Sequence, residues 1–213
     1  MGEMIDFLKN RILLFVLIIA GDWVSLSALI KADEIRHDAI TIAIAVSLLP
    51  SLIISLLVEF FFREKLAKNK LILYTAVISL VFWAAFIFFY VRFTDVNNVY
   101  GKFSFPLEGK SLNAKDSIIV GGCLYTPEAQ AEIDYYSSRK RTLTPAMLFA
   151  DFNYDVSQIW NENERDCARG KILNAFAIML ALLIAGITLM GEALIAYNKN
   201  EQRDKSTNTG ATL

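Results

Sequence analysis

The chain has 213 residues, of which 55% are hydrophobic and 20% are charged, against about 45–50% and about 25% in average globular domains. The hydrophobic residues are concentrated in a few long runs that a water-soluble core of this size would have to bury on all sides. Composition therefore predicts a membrane protein, and the formal net charge of -1 gives no support to direct binding of nucleic acid, which needs a basic surface.

Four apolar runs are long enough to cross a bilayer, whose hydrocarbon core of about 30 Å needs roughly 20 residues of helix. Because none of them alternates between polar and apolar residues as barrel strands do, all four are predicted to be helices. The first is too long for the apolar part of a signal peptide and has no cleavage site after it, so we expect it to be retained. The four runs are Ile12–Ile30, Ala39–Val58, Leu71–Tyr90 and Ile172–Met190, the last continuing to Tyr197.

The predicted fold is an all-α membrane protein with four transmembrane helices and a small α+β soluble insertion between helices 3 and 4. Short connections are expected at Lys31–Asp38 and Arg63–Lys70, and the polar tail is expected to be disordered. The predicted regions are residues 1–92 for helices 1 to 3, residues 93–171 for the soluble insertion, residues 172–197 for helix 4 and residues 198–213 for a cytoplasmic tail.

The insertion carries readable local signals. Thr126 and Thr144 each precede a proline, an arrangement typical of a helix N-cap followed by proline at the first helical position. Asp155 is expected to cap a third short helix. Val99–Phe105 and Ser117–Val120 are β-like runs separated by turn-forming residues.

Only two cysteines occur in the chain, Cys123 and Cys167, and both lie in the insertion. In an oxidising compartment they would close a loop of about 45 residues, which stabilises a fold by roughly 4 kcal/mol in the chain-entropy model. We predict a disulfide, with two unrelated buried thiols as the alternative. The chain has one histidine, His37, and no further cysteine pair. These are too few ligands for a zinc site of the usual kind.

Basic residues in the short loops predict the orientation. Nine lie on the side that holds both termini, and two lie in the short loop opposite, so the termini are expected in the cytoplasm and the insertion outside the membrane. The basic residues Arg165, Arg169 and Lys171 adjoin the fourth run on the outer side and weaken this signal. The nine are Lys9, Arg11, Arg63, Lys65, Lys68, Lys70, Lys199, Arg203 and Lys205, and the two are Lys31 and Arg36.

Two intramembrane polar residues stand out, Asp22 and Glu192. Asp22 lies near the middle of the first run, where a charged carboxylate is unfavourable by at least about 2.5–3.5 kcal/mol on insertion scales. Two interpretations stay open: a role in gating, ion or proton passage or subunit contact, and a protonated or hydrogen-bonded residue that packs beside Ser25 or Ser27 and specifies helix pairing. Glu59 and Glu192 lie near the ends of runs and are expected at the interface.

The residues Arg63, Lys65, Lys68 and Lys70 form a basic stripe. It is predicted to set orientation and to contact anionic lipid, and a docking site for a cytoplasmic partner is the alternative. The chain has no glycine-rich phosphate loop, no metal-ligand pair and no nucleophile elbow, so we expect neither catalysis nor a cofactor.

Two classes of function remain. A sensor or scaffold would read a change outside the membrane and pass it to a soluble partner, whereas a channel-forming effector would oligomerise and conduct ions near Asp22. A secondary transporter is less favoured, because the chain has one charged residue deep in the bilayer and no inverted pair of broken helices.

A short N-terminal tail, four spans, an insertion between the third and fourth, and a basic inner loop resemble the membrane subunits of bacterial antiphage systems, in particular that of the two-component Kiwa system. The resemblance covers the whole chain at the level of architecture and transfers no functional residue, because it rests on no motif. It implies a homo-oligomer in the bacterial inner membrane that senses phage attack and controls a cytoplasmic, DNA-binding partner. Pore-forming four-span effectors of nucleotide-signalling defence systems are similar in outline and imply the channel.

Overall fold

The computed structural model describes residues 29–30, 32–58, 69–101, 103–105 and 117–209, and these residues are mostly helical. Three of their helices are long and apolar enough to cross a membrane, with qualifying stretches at Glu34–Leu57, Ile72–Tyr100 and Glu162–Tyr197. They correspond to the second, third and fourth predicted spans. Apart from its last two residues, the first predicted span lies outside the described residues.

Helix α1 comprises Asp33–Leu57, so it begins inside the stretch where the sequence predicted a connecting loop, Lys31–Asp38. Two effects explain this earlier start. Glu34 lies in the first turn, where a carboxylate interacts favourably with the helix dipole. Its carboxylate also forms ion pairs with Arg165 and Arg169, a long-range interaction that no local pattern reveals.

Helix α2 comprises Asn69–Tyr100 and continues ten residues beyond the predicted end of the third span. The extension contains Phe93, whose buried ring lies 5.7 Å from that of Phe176. It also contains Asn97, whose side-chain amide donates a hydrogen bond to the Leu29 carbonyl. These tertiary contacts extend the helix across residues 99 and 100, which the sequence predicted as the start of a strand.

The chain between α2 and the last helix forms two short strands and three helices. Strand β1, Phe103–Phe105, pairs in antiparallel register with β2, Ser117–Ile119. They are followed by α3, Pro127–Ser138, α4, Pro145–Asp151, and α5, Val156–Ile159.

The three predicted helix caps of this segment are confirmed. The Thr126 hydroxyl accepts a hydrogen bond from the Ala129 amide, and the Thr144 hydroxyl accepts one from the Met147 amide. The Asp155 carboxylate accepts a bond from the amide of Ser157. Each satisfies an amide that the first helical turn leaves without a backbone partner.

A small core holds this segment together around Trp160. The buried side chains are Ala129, Leu148, Phe149, Ile159 and Trp160. The ring of Phe103 lies 4.8 Å from that of Trp160, which ties the strand pair to the core. A Cβ at Gly122 would lie 2.7 Å from Trp160 Cγ, so this close approach requires glycine.

Helix α6 comprises Glu162–Thr209, and it corrects the sequence interpretation at both ends. It begins ten residues before the predicted span, and it continues through most of the tail for which disorder was expected from residue 198. The tail adds to an existing helix and so avoids the unfavourable nucleation step that an isolated segment would face. Its Glu201, Gln202 and Arg203 are also good helix formers.

The described residues form two compact units. One includes Ala43–Tyr90 and Ala177–Leu213, and the other includes Val24–Ile42 and Val91–Phe176. The second contains the strand pair, α3 to α5 and the first turns of α6. We call it the folded lobe, and we call the first the apolar bundle.

Candidate functional site: a bridged helix start and a buried carboxylate

The predicted disulfide is confirmed. Cys123, in the loop that follows β2, is bonded to Cys167 in the second turn of α6, with the two Cα atoms 6.0 Å apart. The Cys123 amide also donates a hydrogen bond of 3.0 Å to the Glu164 carbonyl. The bridge and this bond attach the start of α6 to the loop, and the disulfide leaves no thiolate there to bind a metal ion, although Glu164 lies beside both sulfurs.

A second attachment lies in the same lobe, where the Glu34 carboxylate meets two arginines of α6. Its Oε2 lies 2.8 Å from Nη2 of Arg165 and 3.1 Å from Nη2 of Arg169. Its Oε1 accepts a hydrogen bond of 2.6 Å from the Val120 amide. We call Glu34, Val120, Arg165 and Arg169 the anchoring cluster.

The anchoring cluster joins three parts of the chain: the first turn of α1, the residue after β2 and the start of α6. Its charged side chains are 23–34% exposed, so the ion pairs are partly shielded from water and are stronger than fully exposed ones. Sequence reasoning treated Arg165 and Arg169 only as a disturbance of the orientation signal and missed Glu34. No sequence signal could have found the pairing, because 131 residues separate Glu34 from Arg165.

A buried carboxylate lies in the apolar bundle. Glu192 of α6 is 6% exposed, and its Oε1 accepts a hydrogen bond of 3.0 Å from the Ser55 hydroxyl of α1. Contact with α1 buries this carboxylate within the chain, and the expectation that Glu192 lies near the membrane interface stays a prediction. The polar partner on α1 supplies the hydrogen bond that a buried carboxylate requires.

The bundle buries further polar groups. The Ser79 hydroxyl of α2 donates a hydrogen bond of 2.8 Å to the Gly186 carbonyl of α6. Ser51 and Thr188 are each 0% exposed, and the Thr188 hydroxyl has no hydrogen-bond partner in the structure. Polar groups of this kind at helix contacts are typical of helices packed within a membrane.

The remaining predicted site residues are not placed. Asp22, Glu59, Arg63, Lys65 and Lys68 lie outside the described residues. Lys70 is the second residue of α2, and its side chain is likewise outside the description. The intramembrane role of Asp22 and the role of the basic stripe stay predictions.

Tyr125 and Asp155 of the lobe both have shifted pKa values. Burial raises the pKa of Tyr125, whose ring stacks on Trp160 at 5.6 Å. The side-chain hydrogen bond from Ser157, and then its backbone amide, lower the pKa of Asp155. Neither group adjoins the anchoring cluster or Glu192 in the chain, so these shifts concern the stability of the lobe.

Comparisons with protein families, with curated proteins and with solved structures found no match to this chain. Three long apolar helices suggest association with a membrane. In the lobe, a disulfide and a partly buried ion-pair cluster attach the start of the longest helix, α6.

Proposed function

We propose that the protein is an integral membrane sensor and scaffold, in which the folded lobe detects a change on one side of the membrane and α6 carries it to a soluble partner on the other. The protein would form homo-oligomers in contact with membrane lipids. Both chain termini would lie in the cytoplasm of a bacterium, and the lobe would lie outside the inner membrane. Antiphage defence is the proposed context, because the architecture resembles that of membrane subunits of bacterial antiphage systems.

The observation that supports this proposal best is the continuity of α6. Its 48 residues extend about 72 Å at 1.5 Å per residue, whereas a bilayer with its headgroups is about 40–45 Å thick. One unbroken helix can therefore begin in the lobe, cross the membrane and project beyond it. A rigid helix transmits a displacement along its length, which a flexible connection would not do.

The attachment of its first turns makes α6 a suitable relay. Cys167 is bonded to Cys123 in the loop after β2, and Arg165 and Arg169 form ion pairs with Glu34 of α1. A rearrangement of the lobe must therefore move the start of α6 or break these links. A helix joined to the lobe only by its backbone would not be coupled in this way.

Gly170 offers a direct test, because it lies in α6 one residue beyond the cluster and a Cβ there would meet no atom within 4 Å. Gly170→Pro should interrupt the helix, at about 3 kcal/mol or more. Gly170→Ala should strengthen it by about 0.5–1 kcal/mol without any clash. The two variants thus break or stiffen the relay at a single position.

The measurement is affinity purification in mild detergent, followed by the mass of the intact complex, which reports subunit number and bound partner together. We expect the Pro variant to change the amount of bound partner and the Ala variant to leave it as in the wild type. If both variants insert normally and bind the same amount of partner as the wild type, the relay through α6 is wrong.

The docking role proposed for the basic stripe needs its own variant. Reversal of the charges at Arg63, Lys65, Lys68 and Lys70 to glutamate should reduce partner recovery by removing the positive surface. Reversal of Lys199, Arg203 and Lys205 in the tail is a matched control for a general charge effect. Unchanged recovery in the first variant, with normal insertion, would exclude docking at the stripe.

A channel is the second candidate, and the buried carboxylate of Glu192 is the observation that favours it, because intramembrane ionisable groups commonly mark ion pathways. Recordings from planar bilayers separate the two functions. Stepwise conductance that changes in Asp22→Asn or Glu192→Gln supports the channel. Electrical silence of a preparation that retains a stoichiometric soluble partner supports the scaffold.

A further inference from the structure

Four oxygen-bearing side chains of α1 and α6 are buried in the apolar bundle. Ser51 and Ser55 are four residues apart on α1, and Thr188 and Glu192 are four residues apart on α6, so each pair lies on one helix face. None of the four is more than 6% exposed. The hydrogen bond from Ser55 to Glu192 brings the two pairs together.

The shared direction of α1 and α6 puts the side chains of Ser51 and Thr188 at the same depth in the bundle. In a membrane, α1 and α6 cross in the same direction, because only α2 crosses between them in the chain. One turn back from Ser55 is Ser51, and one turn back from Glu192 is Thr188, so both steps lead toward the same side. A carboxylate and three hydroxyls therefore lie within about one helical turn of one another.

The Thr188 hydroxyl indicates that this group of side chains is incomplete. It is fully buried, yet it makes no hydrogen bond. A buried hydroxyl without a partner is unfavourable and uncommon in native proteins. A valine of the same shape would avoid the difficulty, whereas a hydroxyl has lone pairs that can bind a ligand.

We propose that Ser51, Ser55, Thr188 and Glu192 form a binding site for a monovalent metal cation, Na⁺ or K⁺. Oxygen atoms of carboxylates and hydroxyls are ligands for hard cations. One carboxylate balances one positive charge, which matters in apolar surroundings where an unbalanced charge is strongly unfavourable. Mg²⁺ would leave a net charge and gives up its water reluctantly, so it does not suit a dry site of this kind.

The test measures thermal unfolding of the full-length protein in mild detergent, in NaCl, KCl or choline chloride at one ionic strength. Binding to the folded state raises the melting temperature by mass action, by about 3–6 °C at ten times the dissociation constant. We expect a saturable rise in NaCl or KCl relative to choline chloride. A parallel sample in MgCl₂ tests the charge of the ion, and a rise there without a rise in NaCl or KCl would overturn the assignment to a monovalent ion.

Two variants assign the effect to these side chains. Thr188→Val keeps the shape of the side chain, so it should be at least as stable as the wild type in choline chloride but should bind the cation at least tenfold more weakly. Glu192→Gln keeps a polar group toward Ser55 and removes the charge, and it should lose the cation response.

Ser79→Ala is the matched control. It removes a buried hydroxyl of the same bundle, which bonds to Gly186 and is not one of the four proposed ligands. It should lower the melting temperature in every salt while the cation response persists. Equal melting temperatures of the wild type in all three chlorides would overturn the site, as would an unchanged response in Thr188→Val and Glu192→Gln.

Discussion

The folded lobe and the apolar bundle differ in which residues they bury and which they expose. In the lobe, Trp160, Phe149 and Ile159 are buried, and charged side chains are at the surface. In the bundle, the polar residues Ser79 and Glu192 are buried together with apolar ones such as Leu180. Large apolar side chains of α2 are exposed, among them Leu73, Val81, Ile87 and Phe88. Only 6% of the apolar stretch of α2 is buried within the chain.

This contrast is compatible with two different surroundings, water for the lobe and lipid for the bundle. Water drives apolar groups inward, and this gives the lobe its aromatic core. Hydrocarbon supplies no such force between helices, so packing and interhelical hydrogen bonds decide which residues face inward. The exposure of α2 is therefore compatible with a bundle embedded in a membrane, and the lobe has the pattern of a domain folded in water.

The greatest loss of stability is expected from a substitution at the centre of the lobe. Trp160→Ala should destabilise the lobe by about 3–5 kcal/mol, because it removes a fully buried ring and leaves a cavity. Thermal unfolding in detergent is the measurement. Phe88→Ala removes a large side chain that is 64% exposed on α2 and should have little effect. A similar loss in both variants would contradict the proposed difference between the regions.

A charge placed on an exposed apolar residue of each region tests whether lipid or water surrounds that residue. Val81 of α2 is 63% exposed and Leu124 of the lobe is 67% exposed, so a lysine would lie on the surface of the chain at both positions. Val81→Lys should disfavour membrane insertion by about 2.5–3.5 kcal/mol, whereas Leu124→Lys should be neutral. The measurement is the fraction of the chain that stays in carbonate-washed membranes. Equal retention of both variants would show that α2 does not face lipid.

The anchoring cluster should contribute less than the aromatic core. Glu34→Ala removes the acceptor for Arg165, Arg169 and the Val120 amide, and it should destabilise the lobe by about 1–2 kcal/mol, given the partial exposure of the pairs. Asp166→Ala removes only the exposed partner of Arg169 and should change stability by less than about 0.5 kcal/mol. Equal melting temperatures of the two variants would contradict a special role for Glu34.

The smallest effect concerns pH. Because the Ser157 hydrogen bonds lower the pKa of Asp155 in the folded lobe, this carboxylate stabilises the lobe above its ordinary pKa of 3.8. The contribution is lost as the pH falls through the folded-state value. Asp155→Asn keeps a capping side chain but cannot titrate, so the stability difference between it and the wild type should shrink on acidification. A constant difference from pH 7 to pH 3 would exclude this source of acid sensitivity.

The parts of the fold that could be predicted depend on interactions between residues close together in the sequence. Thr126, Thr144 and Asp155 cap the helices expected from sequence, because a cap bonds to an amide two or three residues away. The second, third and fourth apolar runs are helical, because length and composition suffice to indicate an apolar helix. The ends of the long helices were predicted less well. The start of α1 depends on Glu34, and the end of α2 depends on contacts of Phe93 and Asn97 that are distant in sequence.

Composition and short-range spacing are sufficient to predict the apolar helices, the caps and the two cysteines of one segment. The ion pairs of Glu34 with Arg165 and Arg169 and the hydrogen bond from Ser55 to Glu192 become visible only in the folded chain. The physical reason is distance along the chain: 137 residues separate Ser55 from Glu192. Which polar groups meet after such a separation follows from the packing of whole helices, and no local pattern encodes it.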